Sequence, residues 1–158
     1  MKRQDVDIRL ITVHELPQLC TLHHWEMMRY DGAPVEVNLT TSFNKIAASG
    51  IVTLRLGVHY TTMRSQIVRK LLDYVIEADF EISGQDFDAE MSDEDMIVPA
   101  DLLALMLGIS IGAARGMIAL RTQRTFLRHY PLPVYNLDTL IDNILVAGQE
   151  VTATAAFA

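Results

Sequence analysis

Apolar and polar positions alternate through the first half of the chain, the period of a strand with one buried face. In VDIRLITV, Val6, Ile8 and Leu10 share one side, while Ile11 and Val13 blur the other. A polar and aromatic connection, His14 to Ala33, contains HHWEMMRY. Val35, Val37 and Leu39 then alternate in VEVNLTTSF. The clearest alternation is IVTLRLGVHY, where Val52, Leu54, Leu56, Val58 and Tyr60 oppose Thr53, Arg55, Gly57 and His59. Next, Val68, Lys70, Leu72, Tyr74, Ile76, Ala78, Phe80 and Ile82 share one largely apolar face, and Leu71, Asp73, Val75, Glu77, Asp79 and Glu81 form the opposite, largely acidic one. Strands near 51–62 and 66–83, joined by the short MRSQ connection, predict a long antiparallel hairpin covered on a single side.

The second half changes period. After the charged linker GQDFDAEMSDEDM, the stretch IVPADLLALMLGISIGAARGMIAL (Ile97 to Leu120) is almost uncharged. It must be a membrane span, a buried helix or an interface helix. Only thirteen residues, Leu102 to Ala114, lie between the bracketing Asp101 and Arg115, against the roughly 20 that a spanning helix requires. A buried helix is the better reading, starting at Pro99 and Asp101 and running to about Arg121. Gly108, Gly112 and Gly116 recur every fourth residue along it. Each costs about 1 kcal/mol relative to alanine inside a helix, so the stripe points to close approach of another backbone, from the sheet or from a second copy. Pro131 and Pro133 break the chain, and a last amphipathic helix begins near Asn136, with Asn136 or Asp138 as its cap. Leu137, Leu140, Ile141, Ile144 and Leu145 form its apolar stripe. Four strands followed by two helices predict an α+β domain: a four-stranded antiparallel sheet with two C-terminal helices on one face. The expected boundaries are a single domain over 1–148 and a mobile tail over 149–158.

Composition changes this picture in two ways. Mean hydropathy is +0.19, high for 158 residues, which implies extra apolar surface buried between subunits or offered to a partner. The net charge is −7, and ten of the twenty acids fall between Asp73 and Asp95, while no Lys or Arg occurs between Lys70 and Arg115. A field of that sign repels phosphates, which disfavours nucleic acid, and draws basic partners. The solvated-face reading and the docking-patch reading of these acids stand side by side on charge alone.

Catalytic chemistry is sparse. His14, His23, His24, His59 and His129 make no HExxH or HxH pattern, and no glycine-rich phosphate loop follows a strand. The lone Cys20 excludes an intramolecular disulfide and lacks an activating context. The start MKRQDVDIRL has no signal-peptide core, so the cytoplasm is the simplest location. Neither catalysis, a metal nor a cofactor is expected.

The element order and several short segments resemble the protein-export chaperone family SecB. PVYNLDTLIDNIL (Pro133 to Leu145) is similar to that family's "PVNFDALF" entry to its last helix, through Asn136, Asp138 and Leu140. Arg115 in AARGMI is similar to the family's "ARE" stretch, and LLDYVIEADFEI to its fourth strand. The resemblance implies a homotetramer, a dimer of dimers, with Gly108, Gly112 and Gly116 of the long helix at the interface. It further implies an ATP-independent holdase for unfolded or precursor polypeptides, without membrane insertion. Trp25, Met27, Met28, Tyr30, Leu137, Leu140, Ile141 and Ile144 would line the client groove. Glu15, Leu71, Asp73 and Glu77 would form an acidic face for the SecA ATPase. Two positions depart from the family pattern. Asp31-Gly32-Ala33 stands where an aromatic is expected, and Pro17, Gln18 and Leu19 occupy the second acidic docking position. Alternatives are a SecB-like chaperone dedicated to one client, such as the antitoxin of a toxin–antitoxin pair, and a non-catalytic oligomeric adaptor.

Overall fold

A computed structural model of the chain describes residues 7–46, 50–83, 100–147 and 150–157; at 44–46, 143–147 and 150–157 the description is of the backbone. The acidic linker and Pro99 fall outside the described residues. The strands are β1 (Asp7–Glu15), β2 (Thr21–Leu22), β3 (Val35–Ile46), β4 (Ile51–Arg64), β5 (Ile67–Ser83) and β6 (Glu150–Phe157). The helices are α1 (His24–Arg29), α2 (Ala100–Thr122) and α3 (Leu137–Ala147). All strands pair antiparallel in the order β1-β5-β4-β3-β6, and β2 continues the β1 edge along β5. The α+β class and the antiparallel sheet with C-terminal helices are as the alternation predicts.

The hairpin is the backbone of the fold. Leu54, Leu56, Val58 and Tyr60 of β4 sit opposite Ala78, Ile76, Tyr74 and Leu72 of β5, and every one of these side chains is buried. At its tip Ser65 and Gln66 both take positive φ, 52° and 63°, the two-residue primed turn that matches strand twist. Onto this apolar row packs one side of α2, through Leu103, Met106, Leu107, Ile111, Ala114 and Ile118. By length and composition α2 is also apolar enough to cross a bilayer. Here one of its sides is taken by the sheet.

Two bulges interrupt the alternation, and they move residues between faces. In β1, Leu10 pairs with Phe80 and Thr12 with Asp79, so Ile11 is extra. Beyond it the odd-numbered Val13 and Glu15 stand opposite Ala78 and Ile76, on the apolar side. This is the physical source of the blurred pattern in ITV. In β5, Tyr60 pairs with Leu72 and Thr61 with Lys70, leaving Leu71 extra. Leu71 leaves the acidic row and is fully buried in the same core cluster as Leu72 and Tyr60.

The C-terminal segment corrects the expected tail. Glu150–Phe157 pairs with β3 from Val35↔Phe157 to Ser42↔Glu150, so the domain continues past 148. The sequence EVTATAAF itself alternates, with Ala153 and Ala155 beside Leu39 and Val37, and Thr152 and Thr154 beside Thr40 and Asn38. The strand satisfies backbone groups that would otherwise be left open along β3.

The connection into α3 is held from α2. Arg115 Nε donates to Leu132 O at 2.9 Å, and its Nη2 donates to Pro133 O at 2.8 Å. Asn136 Oδ1 then caps α3, accepting from the Asp138 and Thr139 amides at 3.0 and 3.3 Å. Both carbonyls lie outside any helix or strand, and the guanidinium gives them charge-assisted donors. Arg115→Met keeps the apolar stem and removes both donors. In urea denaturation it should lower the unfolding free energy by about 2–4 kcal/mol. Arg124→Met, on the exposed surface, should stay within ~0.5 kcal/mol of the parent.

Candidate functional site

The acids expected to form one docking face are divided by the bulges. Asp73 and Glu77 remain on the face that α2 leaves uncovered, with Asp79 and Glu81. Glu15 lies on the helix side, and Leu71 is core.

On the uncovered face each β5 acid meets a polar or basic partner on an adjacent strand. Asp73 Oδ1 bonds His59 Nδ1 at 2.7 Å, its Oδ2 bonds His23 Nε2 at 3.1 Å, and Lys70 Nζ lies 3.9 Å away. Burial acts to raise the Asp73 pKa, but the two histidine hydrogen bonds outweigh it and hold the carboxyl below its usual range. Glu77 Oε1 accepts from Arg55 Nη2 at 2.6 Å, and its Oε2 lies 3.5 Å from His14. Thr53 Oγ1 donates to Asp79 at 2.6 Å, and Arg9 pairs with Glu81. Periodicity alone did not show this neutralisation. Thr53, Arg55 and His59 stand directly opposite Asp79, Glu77 and Asp73, a register that the two-residue hairpin turn gives only together with the extra residue at Leu71.

On the helix side, Glu15 accepts from the Tyr74 hydroxyl and from Arg121, whose Nη2 is at 2.6 Å and Nε at 3.2 Å. These bonds, Tyr74 first, hold the Glu15 carboxyl below its usual value, while burial keeps the Tyr74 proton firmly on its oxygen. The trio lines a cleft of about 470 Å³ with Cys20 and His24 at its wall. Cys20 is committed to the backbone. Its thiol donates to Val75 O at 3.3 Å and accepts from Val75 N at 3.4 Å, bridging the gap between β1 and β2. Among the described residues no group of three His, Cys, Asp or Glu side chains could hold a metal ion.

The groove residues also separate. Met27 and Tyr30 turn inward from α1 and are buried, as are Leu140 and Ile141 of α3, so these four fill the core of the single chain and offer no open groove wall. Their helices can bury an apolar stripe in only one place, and here the sheet takes it. Leu137 is half-buried, and the Ile144 side chain lies outside the description. Trp25 and Met28, one turn apart on α1, remain 84% and 76% exposed, and Val134 before α3 is 91% exposed. The exposure of Val134 carried no signal in the sequence pattern.

The glycines of the stripe have two different surroundings. A methyl group at Gly108 would meet Leu137 Cδ1 of α3 at 3.4 Å, ordinary van der Waals contact that an alanine could also make. At Gly112 and Gly116 it would meet nothing within 4 Å, and both residues are exposed. With Leu105 and Leu120, also exposed, they make an uncovered apolar side of α2.

No protein-family model matches the chain, and no curated protein matches it. Among solved structures it is similar to a protein of unknown function from Streptococcus agalactiae, at 14% identity and a TM-score of 0.29, over 85% of this chain and 98% of that one.

Asp73 and Glu15 both have folded-state pKa values below their unfolded values. Each therefore contributes stability above about pH 4 that is lost as the pH falls through that range. Thermal unfolding followed by circular dichroism between about pH 6 and pH 3 should show this acid limb. Asp73→Asn and Glu15→Gln should each lower the melting temperature near neutrality and flatten the limb.

Proposed function

We propose that this chain is a SecB-like, ATP-independent chaperone that holds non-native polypeptides and works as a homotetramer in the cytoplasm. The observation that carries this reading is the outward presentation of Trp25 and Met28 by a helix whose other residues, Met27 and Tyr30, are locked into the core. An exposed tryptophan and a flexible methionine on a rigid mount give an adaptable apolar surface. The same two helices that resemble the family's sit on the apolar sheet face, and the outer side of α2 offers the apolar area that a subunit interface requires. Delivery to SecA has weaker support. Only Asp73 and Glu77 of the four docking residues share the uncovered face, and both are already paired. That pairing favours, as a second reading, a SecB-like chaperone dedicated to one client, such as an antitoxin.

The test is suppression of aggregation of an unfolded reporter, measured together with native mass. The chain should suppress aggregation at stoichiometric amounts and run as a tetramer. A monomer that suppresses nothing would remove the chaperone reading. Combined Trp25→Ala and Met28→Ala should weaken suppression without changing the melting temperature, since both side chains are exposed.

Gly112→Leu with Gly116→Leu separates assembly from folding. Nothing in the single chain obstructs either side chain, and leaving glycine favours the helix by about 1 kcal/mol per site. The variant should fold with an equal or higher melting temperature yet lose the native tetramer mass. Retention of the tetramer would place its interface elsewhere.

A further inference from the structure

We propose that the segments captured at α1 are acidic as well as apolar: the chaperone selects carboxylate-bearing clients. The inference rests on the holdase reading and names the substrate class of that same site. It starts from a disparity in how the cations are used. Arg9, Arg55 and Arg121 are each tied to a glutamate, and Arg115 is tied to two carbonyls. Arg29, Arg64 and Arg69, by contrast, have no carboxylate within ion-pair range among the described residues. The guanidinium groups of Arg29 and Arg64 both rest against the Tyr30 ring, 5.7 and 5.8 Å from its centroid. One buried aromatic thus brings the end of α1 and the tip of the β4–β5 hairpin together, each with an uncompensated cation.

The apolar side chains at this end are exposed in the same places. Met28 precedes Arg29, with Trp25 one turn earlier. Met63, Ile67 and Val68 flank Arg64 and Arg69 at the hairpin tip, and all five are more than half exposed. Of the acids on this stretch, Glu26 has a buried Oε2, and Asp31 lines a separate pocket with Arg124 and Arg128. An extended client segment with alternating apolar and carboxylate side chains would place the first on Trp25 and Met28 and the second on Arg29 and Arg64. A lysine-bearing segment would meet like charge. The chain's net charge of −7 does not cancel this preference at physiological salt. Screening over about 8 Å leaves the nearest cations to decide.

Trp25 is the only tryptophan in the chain, so its emission reports on this site directly. Two short tryptophan-free peptides, identical in their leucine and phenylalanine positions and carrying either glutamate or lysine between them, are titrated into the full chain. The glutamate peptide should shift Trp25 emission to the blue and bind about five-fold tighter than the lysine peptide, the equivalent of two rim ion pairs. The order should invert in Arg29→Glu/Arg64→Glu, whose changes are on exposed side chains. Equal or tighter binding of the lysine peptide, or an unchanged order in the double variant, overturns the proposal. So does an emission shift produced by phosphatidylglycerol vesicles that the glutamate peptide fails to compete away, which would make the site a lipid-surface contact. Aggregation suppression run alongside separates the two claims. Loss of charge preference with suppression intact removes the client class alone, and loss of both removes the chaperone reading as well.

Discussion

The whole molecule hangs on the contact between one side of α2 and the apolar row shared by β4 and β5. That row is long because β5 is long: seventeen residues, six of which, from Leu72 to Ile82, present alternate side chains to the helix. The helix answers with Leu103, Met106, Leu107, Ile111, Ala114 and Ile118. Burial of side chains of this size is worth roughly 1.5–3 kcal/mol each, more than any ion pair on the surface contributes. Everything else is fastened to this sandwich. Arg115 holds the proline connection from the back of α2, and Arg121 holds Glu15 and Tyr74 at its end.

Elements whose period runs without interruption were legible in the sequence, and those where the period slips were not. The alternation in IVTLRLGVHY and from Leu72 to Ile82 fixes two strands and their buried face. Asn136 is a readable cap because its short side chain stands just ahead of an apolar stripe. Ile11 and Leu71 defeat the same logic. Each adds one residue to a strand, and parity arguments downstream of the addition, or at it, assign the wrong face. Thus Glu15 and Leu71 were expected among the acids and belong elsewhere. The strand at Glu150–Phe157 was missed for another reason: alanine and threonine alternate too weakly to stand out, and its pairing with β3 is set by an edge that sequence periodicity does not describe.

Total charge is a poor guide to this surface. The acids of β5 look unopposed along the chain because their partners lie in β1 and β4, far away in sequence and adjacent in space. Paired across strands, they make a polar, nearly neutral face. The face expected from charge alone to draw a basic partner is therefore largely neutralised once register is known. Among the described residues, three cations without a carboxylate partner, Arg29, Arg64 and Arg69, lie at the hairpin tip and the end of α1, and two more, Arg124 and Arg128, lie beside the short turn after α2. Exposed Trp25, Met28 and Met63 lie beside the first three of these cations, and the proposed client surface rests on that coincidence.

The bulge at Ile11 has an evolutionary meaning beyond its geometry. In a strand, insertion or loss of one residue exchanges inside for outside in every position that follows. A bulge absorbs such a change: loss of Ile11 would leave Thr12, Val13 and Glu15 opposite Asp79, Ala78 and Ile76, on their present faces of a now regular strand. The edge strand therefore carries one residue more than its partner without disturbing the bonds that Glu15 makes to Arg121 and the Tyr74 hydroxyl. The central hairpin accommodates its own extra residue, Leu71, in the same way.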